Sequence, residues 1–304
     1  MDTHEKRQEP KSREASNARG RPYDGIRDAY RTGAAEAIRC SLFTKPWKDT
    51  PALALAEWVK GVGFDGIELP VREGFQVEPS AATEKLPAFA AAVRSVGLDI
   101  FSVAARPDER IFAACAEAGV PMIRIMAEIG EDGYLASERR LADWLERSVA
   151  PLCRAYNVKV GIQQHHGRFV PDAAGLMRIV GRFEPELIGA VWDAAHDALA
   201  GQQPEYGIEL LASHLAMVNL KNVYMYRSNG PEAESAQWGR HFTTGRHGMA
   251  SWPRAAAYLK RRGYAGVVCL TAQYSDDSRT DRYIAEDLAY AKELFGGSGE
   301  AEAI

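Results

Sequence analysis

The polar side chains that end the chain's short apolar runs share one kind of chemistry. In order they are Thr44 and Lys45, Glu68, Arg106, Arg124, Gln163-Gln164-His165-His166, Asp193 with His196, Asn219 with Lys221 and Asn222, and Thr271 with Gln273. Carboxylates and imidazoles take and return protons, while cations, amides and hydroxyls hold anionic or hydroxylated groups. Burying such groups at the ends of apolar strands costs free energy unless they find partners. A whole ring of them therefore reads as a site, although any single one is also what a strand end offers when the chain turns towards water.

The elements that must position these groups follow one rhythm. Apolar runs at 37–43, 64–69, 99–104, 122–126, 158–162, 188–192, 215–220 and 267–270 alternate with helical patterns. The helices are expected over 52–60, 82–96, 108–118, 137–156, 172–182, 205–213, 252–262 and 281–294, several ended by glycine. The strands are continuously apolar, which suits a parallel sheet covered on both faces. About eight strand–helix pairs predict an α/β fold, a (β/α)8 TIM barrel, with reacting groups at the C-terminal ends of the strands. An open doubly wound sheet would want a GxGxxG or GxxxxGK[ST] turn after an early strand, and neither is present. The barrel is expected over residues 36–295. A polar extension precedes it at 1–35, with a short helix near 23–30, and a loose tail follows at 296–304.

The 304 residues carry 37 Lys and Arg against 41 Asp and Glu, a formal charge of −4, so bulk electrostatics give no reason to expect nucleic acid as a partner. No run of about 18 apolar residues suggests a membrane span, and the first 21 residues lack the apolar core of a secretory signal. The cytoplasm is the expected location. Cys40, Cys115, Cys153 and Cys269 are far apart and form no CxxC pair, so neither structural zinc nor a disulfide framework is expected. Residues 227–251, with Trp238, Arg240, His241, Arg246 and His247, read as a long loop. It suits a lid over a polyol or an anionic sugar, or equally a contact between copies in a homo-oligomer.

Three segments carry a resemblance: Gly63-Phe64-Asp65-Gly66-Ile67-Glu68, Val191-Trp192-Asp193-Ala194-Ala195-His196 and Val218-Asn219-Leu220-Lys221-Asn222. They resemble signature strands of the xylose isomerase-like TIM barrels, a group that includes sugar isomerases and epimerases, inosose dehydratases and endonuclease IV. The segments 158–165 and 263–268 match that family's fifth strand and the lead into its eighth. The resemblance implies a divalent metal held by Glu on strand five, Asp on six, His on seven and Glu on eight. Here those positions hold Gln163, Asp193, Asn219 and Thr271. Hard cations need carboxylate charge to offset dehydration, so the expectation is no cofactor or a weakly bound divalent metal (Mg²⁺, Mn²⁺ or Zn²⁺). His165, His166 and His196 could ligate zinc, but adjacent residues on an extended strand point to opposite faces, so only one of His165 and His166 should face the mouth.

Glu68, His165, His196 and Lys221 are the catalytic candidates. Glu68 is either an acid/base group or a buried partner for Arg106 or Arg124. His196 is either a general acid or base or a donor to Asp193 or a backbone carbonyl. Lys221 either holds a substrate hydroxyl or phosphate or pairs with Asp193. Arg106, Arg124, Gln164, Asn222 and Gln273, with Arg246 from the loop, are candidates for holding substrate. The expected function is proton transfer next to a carbonyl in a carbohydrate, polyol or keto acid. The alternative is a barrel that has lost catalysis and serves as a carbohydrate-binding or partner subunit. Action on DNA would need a multi-metal site rich in His and carboxylates, which this chain lacks.

Overall fold

The computed structural model describes residues 38–296; the N-terminal extension with its expected helix, and most of the tail, lie outside the described residues. Its strands are β1 (Arg39–Phe43), β2 (Gly66–Pro70), β3 (Asp99–Ala104), β4 (Met122–Met126), β5 (Lys159–Gln163), β6 (Ile188–Asp193), β7 (Leu215–Leu220), β8 (Asn222–Arg227), β9 (Trp238–Thr243) and β10 (Val267–Leu270). All except β8 and β9 are parallel and form a closed barrel in the order β1-β10-β7-β6-β5-β4-β3-β2. The expected (β/α)8 barrel is what the chain forms.

Helices cover the barrel from outside, and their apolar stripes make the main core. In α9 (Trp252–Arg261), Trp252, Ala255, Ala256 and Leu259 are buried, the i, i+3, i+4, i+7 spacing of one helix face. The helix expected over 137–156 is instead α4 (Tyr134–Trp144), a π-helical turn at Leu145–Val149, and α5 (Ala150–Tyr156). Pro151 has no N–H to continue the ladder, and the wider turn ends where it enters. The four cysteines are buried free thiols. Burial pushes Cys40 and Cys153 up to about 11 and Cys115 up to about 12, so none of these three is a ready nucleophile. No helix among the described residues is long and apolar enough to cross a membrane.

The two-residue period of the strands decides what enters the barrel. One phase carries Phe43, Ala104, Met122, Val191, Met217 and Cys269, which form a separate apolar plug. The next residue of the same phase towards the C-terminal end is both polar and buried on five strands: Arg124, Gln163 (above Gly161), Asp193, Asn219 and Thr271. Glu68 lies beside Phe43 and Ser102 in the β1–β2 and β2–β3 registers. Gly161 is required here, because a Cβ would stand 2.9 Å from both Met122 and Val191 of the plug.

The expected loop over 227–251 is largely an antiparallel hairpin of β8 and β9, running Asn222↔Thr243 to Arg227↔Trp238. Its outer face is exposed, so no burial pattern marked it as strand. Phe242 donates its backbone N–H to Ser275 Oγ and accepts from Ser275 N, which ties the hairpin to the segment after β10.

Candidate active site

A chain of alternating charges crosses the floor of the mouth. Arg124 Nε and Nη2 donate to the two oxygens of Glu68 at 2.7 and 2.8 Å, a bidentate fork, and Nη1 donates to Gln163 Oε1. Gln163 Nε2 donates to Asp193 Oδ2 at 2.6 Å, and Lys221 Nζ lies 3.3 Å from the same oxygen. Lys221 also donates to Gln273 Oε1 at 3.3 Å. Asp193 Oδ1 accepts from the backbone N–H of His196. That contact explains the Asp-x-x-His spacing: the aspartate is the N-cap of α7 (Ala194–Leu199), and the histidine takes the third helical position.

Glu68, Arg124, Asp193 and Lys221 are all buried, and two anions against two cations leave this centre neutral. Burial opposes the charge on Arg124, but Glu68 outweighs it and the guanidinium is held above its ordinary range. Burial lowers Lys221; Asp193 opposes this, and the charges of Arg124 and Lys45 add to it.

Three imidazoles pack beside Lys221. The ring centroids of His165 lie 3.9 Å from His196 and 4.7 Å from His166. The rings of His165 and His166 stack rather than point to opposite faces, but of the two only His165 lines the cavity at the mouth, as expected. Strand β5 ends at Gln163, and beyond it the chain turns, with His165 N bonded to Val170 O, so strand alternation no longer applies. His165 Nδ1 lies 2.7 Å from His166 O. A carbonyl only accepts, so Nδ1 carries the proton and Nε2 keeps a free lone pair. His166 and His196 meet through their Nδ1 atoms at 3.0 Å. Burial first, and then the charges of Lys221 and Arg240 among others, lower His166 to about 4 and His196 well below its usual range; burial also lowers His165.

Above this floor opens a cavity of about 580 Å³, lined by Phe43, Trp47, Arg124, His165, Asn219, Lys221 and Thr271 among others. Both amide atoms of Asn219 and the hydroxyl of Thr271 are buried with no hydrogen-bond partner. Lys221 uses two of its three donors and Arg124 three of its five, so both have N–H groups to spare.

Several candidates stand elsewhere. Glu68 is closed off beneath Arg124 as its buried ion-pair partner. His196 is buried behind its neighbours, and its Nε2 has no partner. Gln164 and Asn222 follow inward-facing residues by one position and so point the other way. Gln164 donates to Asp197 Oδ1, and Asn222 holds Gly245 O and Ala250 O. Arg106, two residues past β3, is exposed beside a neighbouring cavity. Arg246 pairs with Glu293 and lies over Tyr290 on the outside of the barrel. Several lining residues escaped the sequence reading, Trp47, Asp281 and Arg72 among them. Arg72 continues the phase Glu68, Pro70, Arg72 past the end of β2, beyond the first polar residue of that run.

The family's metal ligands do not fit here. Gln163 bridges a guanidinium and a carboxylate, a role that needs an acceptor and a donor on one side chain. Asp193, the one remaining carboxylate, already neutralises Lys221. The imidazoles of His165, His166 and His196 offer three nitrogens within 4.8 Å of one another, and being neutral they have the ligand form. The nearby cations that help to keep them neutral also oppose an incoming divalent ion.

Behind the barrel wall, burial raises Asp197 to about 7, against the pull of its hydrogen-bond donors, Gln164 among them. A carboxyl raised in the folded state stabilises the fold at low pH and loses that contribution as pH rises from about 4 through about 7. Asp197→Asn keeps an acceptor for Gln164 without the titration. The melting temperature of the variant relative to wild type is therefore expected to rise steadily across that window in thermal melts. A pH-independent difference would overturn this account.

A profile of the xylose isomerase-like TIM barrel family matches residues 56–294, and the chain belongs to that family. A search of curated protein sequences returns no match. Among solved structures, the IolI protein with a bound zinc atom aligns with a TM-score of 0.66 at 14% identity, over 87% of this chain and 100% of that one. A 3-keto-D-glucoside 4-epimerase from E. coli aligns with a TM-score of 0.64 at 14% identity, over 84% and 99%. A D-psicose 3-epimerase in the presence of D-fructose aligns with a TM-score of 0.61 at 13% identity, over 86% and 100%. At these identities the structural likeness is one of fold.

Proposed function

We propose that this chain is an enzyme that moves a proton at a carbon next to a carbonyl in a polyhydroxylated substrate, as an isomerase or epimerase does, with protein cations standing where its family uses a metal ion. The observation that carries this reading is that His165, its Nδ1 taken up by His166 O so that Nε2 is left to accept a proton, lines the same cavity as Lys221 and the unpartnered Asn219 and Thr271. His165 takes the proton from carbon. The ammonium of Lys221 stabilises the enediolate oxygen that forms, helped by a spare N–H of Arg124. Asn219 and Thr271 bond the hydroxyls of the substrate, and His165 returns the proton to the adjacent carbon of the enediolate while the remaining hydroxyl proton passes to the other oxygen, which gives the isomer. Glu68 and Asp193 keep the two cations charged and in place. The sugar epimerases among the similar structures support a carbohydrate as substrate.

The test is exchange of carbon-bound hydrogen with deuterated water in a panel of ketoses, inososes and sugar-derived keto acids. Exchange is expected with one of them, is lost in His165→Gln, and survives exhaustive chelation. Because burial lowers His165, the acid limb of the rate should lie below the usual imidazole range. No exchange across the panel would overturn the enzyme reading. Exchange that chelation abolishes and a metal ion restores would overturn the metal-free centre alone.

A further inference from the structure

Every cation on the cavity floor has its own counter-charge, but those on the wall do not. Arg124 is matched by Glu68 and Lys221 by Asp193. Arg72 and Lys45 line the same cavity, and among the described residues neither side chain has a hydrogen bond or an ion pair. The Arg72 guanidinium is half-buried, 6.0 Å from the centroid of the Phe43 ring, and Arg124 lies 4.9 Å from that centroid on its own account. Two guanidinium groups thus gather around one ring, with a single carboxylate that Arg124 already takes up with both oxygens. Burial and the charge of Arg124 both press on Arg72, but arginine does not give up its proton under such pressure. Asp277 and Asp281 also line the cavity. Asp281 accepts from the Trp47 indole N–H at 2.9 Å, and neither carboxylate reaches Arg72 or Lys45.

A half-buried guanidinium with its fork unused, lining together with the exposed Lys45 a cavity that otherwise offers partners for hydroxyls, is a receptor for an oxyanion. We infer that the substrate carries a carboxylate or a phosphate, and that Arg72, with Lys45, holds it while the hydroxylated remainder reaches Asn219, Thr271 and Lys221. This rests on the same cavity as the proposed function but is tested through binding alone.

Calorimetric titration with matched pairs gives the test: D-gluconate against D-glucitol for a carboxylate, and D-glucose 6-phosphate against D-glucose for a phosphate. At least one anion is expected to bind about tenfold or more tightly than its neutral partner, as a charge-assisted fork should give. The pair that shows the preference identifies the anion. Arg72→Gln should remove the preference and leave neutral binding unchanged, Arg72→Lys should restore part of it, and added salt should weaken it. Because the Arg72 side chain makes no hydrogen bond or ion pair among the described residues and only a 6.0 Å approach to the Phe43 ring, the melting temperature should hold in both variants. Equal affinity within both pairs, a preference that survives Arg72→Gln, or no binding by any probe overturns the inference. Exchange on a neutral ketose with no preference for anions would sink this inference and leave the proposed function standing; a preference for anions with no exchange would do the reverse.

Discussion

Arg124→Met is expected to destabilise the protein by about 3–5 kcal/mol, the cost of leaving a buried charge without its partner. Glu68 would keep its carboxylate at 0% exposure with only Ser102 and the weak Cys269 thiol as hydrogen-bond donors. Gln163 would lose the donor that orients its amide, and with it the geometry that presents its N–H to Asp193. Urea denaturation measures the loss. The paired variant Glu68→Gln with Arg124→Met should recover most of it, because no unmatched charge then remains. Arg124→Lys should recover little, since an ammonium cannot make the two parallel bonds of the fork. A single variant as stable as wild type would show that water reaches Glu68 and that the floor is not closed as described.

Lys221→Met should lower the exchange rate by about 10²–10³-fold, the usual cost of removing one donor to a developing oxyanion. The melting temperature should also fall, because Asp193 keeps a helix cap and an amide but loses its counter-ion. Asp193→Asn separates the two effects. Lys221 remains, but the charge that opposed its lowering is gone, so its pKa drops further. The rate depends on the charged ammonium. It should therefore fall with rising pH at a lower pH in Asp193→Asn than in wild type, and the displacement would be read from rate–pH profiles. An unchanged alkaline limb would exclude Lys221 as the group that stabilises the oxyanion.

The barrel could be read from the sequence because each strand is a continuous apolar run and most helices stop at a glycine; both are local signals. The floor of the site could be read because Glu68, Arg124, Gln163, Asp193, Asn219 and Thr271 are the first inward-facing polar residues of their strands. What the sequence concealed depended on phase and distance. Gln164 and Asn222 sit one residue from inward-facing neighbours, and only the closed barrel tells which of each pair enters it. His165 and His166 lie past the end of their strand, where alternation has no force. Arg246 is committed to Glu293, 47 residues away, and the β8–β9 hairpin has no buried face to print a pattern. Arg72 obeyed the alternation but came after the point at which its run had already turned polar.

Gln163 has a consequence for which sequences lie within one mutation of this one. A glutamate there would press a second carboxylate against Asp193 across a contact now 2.6 Å long. A histidine at position 219 or a carboxylate at 271 alone would leave the other positions without the charge that a hard cation needs. Each single step towards the four-ligand set that the resemblance implies therefore gains no ion by itself. Because Arg124, Gln163, Asp193 and Lys221 contact one another in turn, natural variation at 124, 163, 193 and 221 should travel as one block.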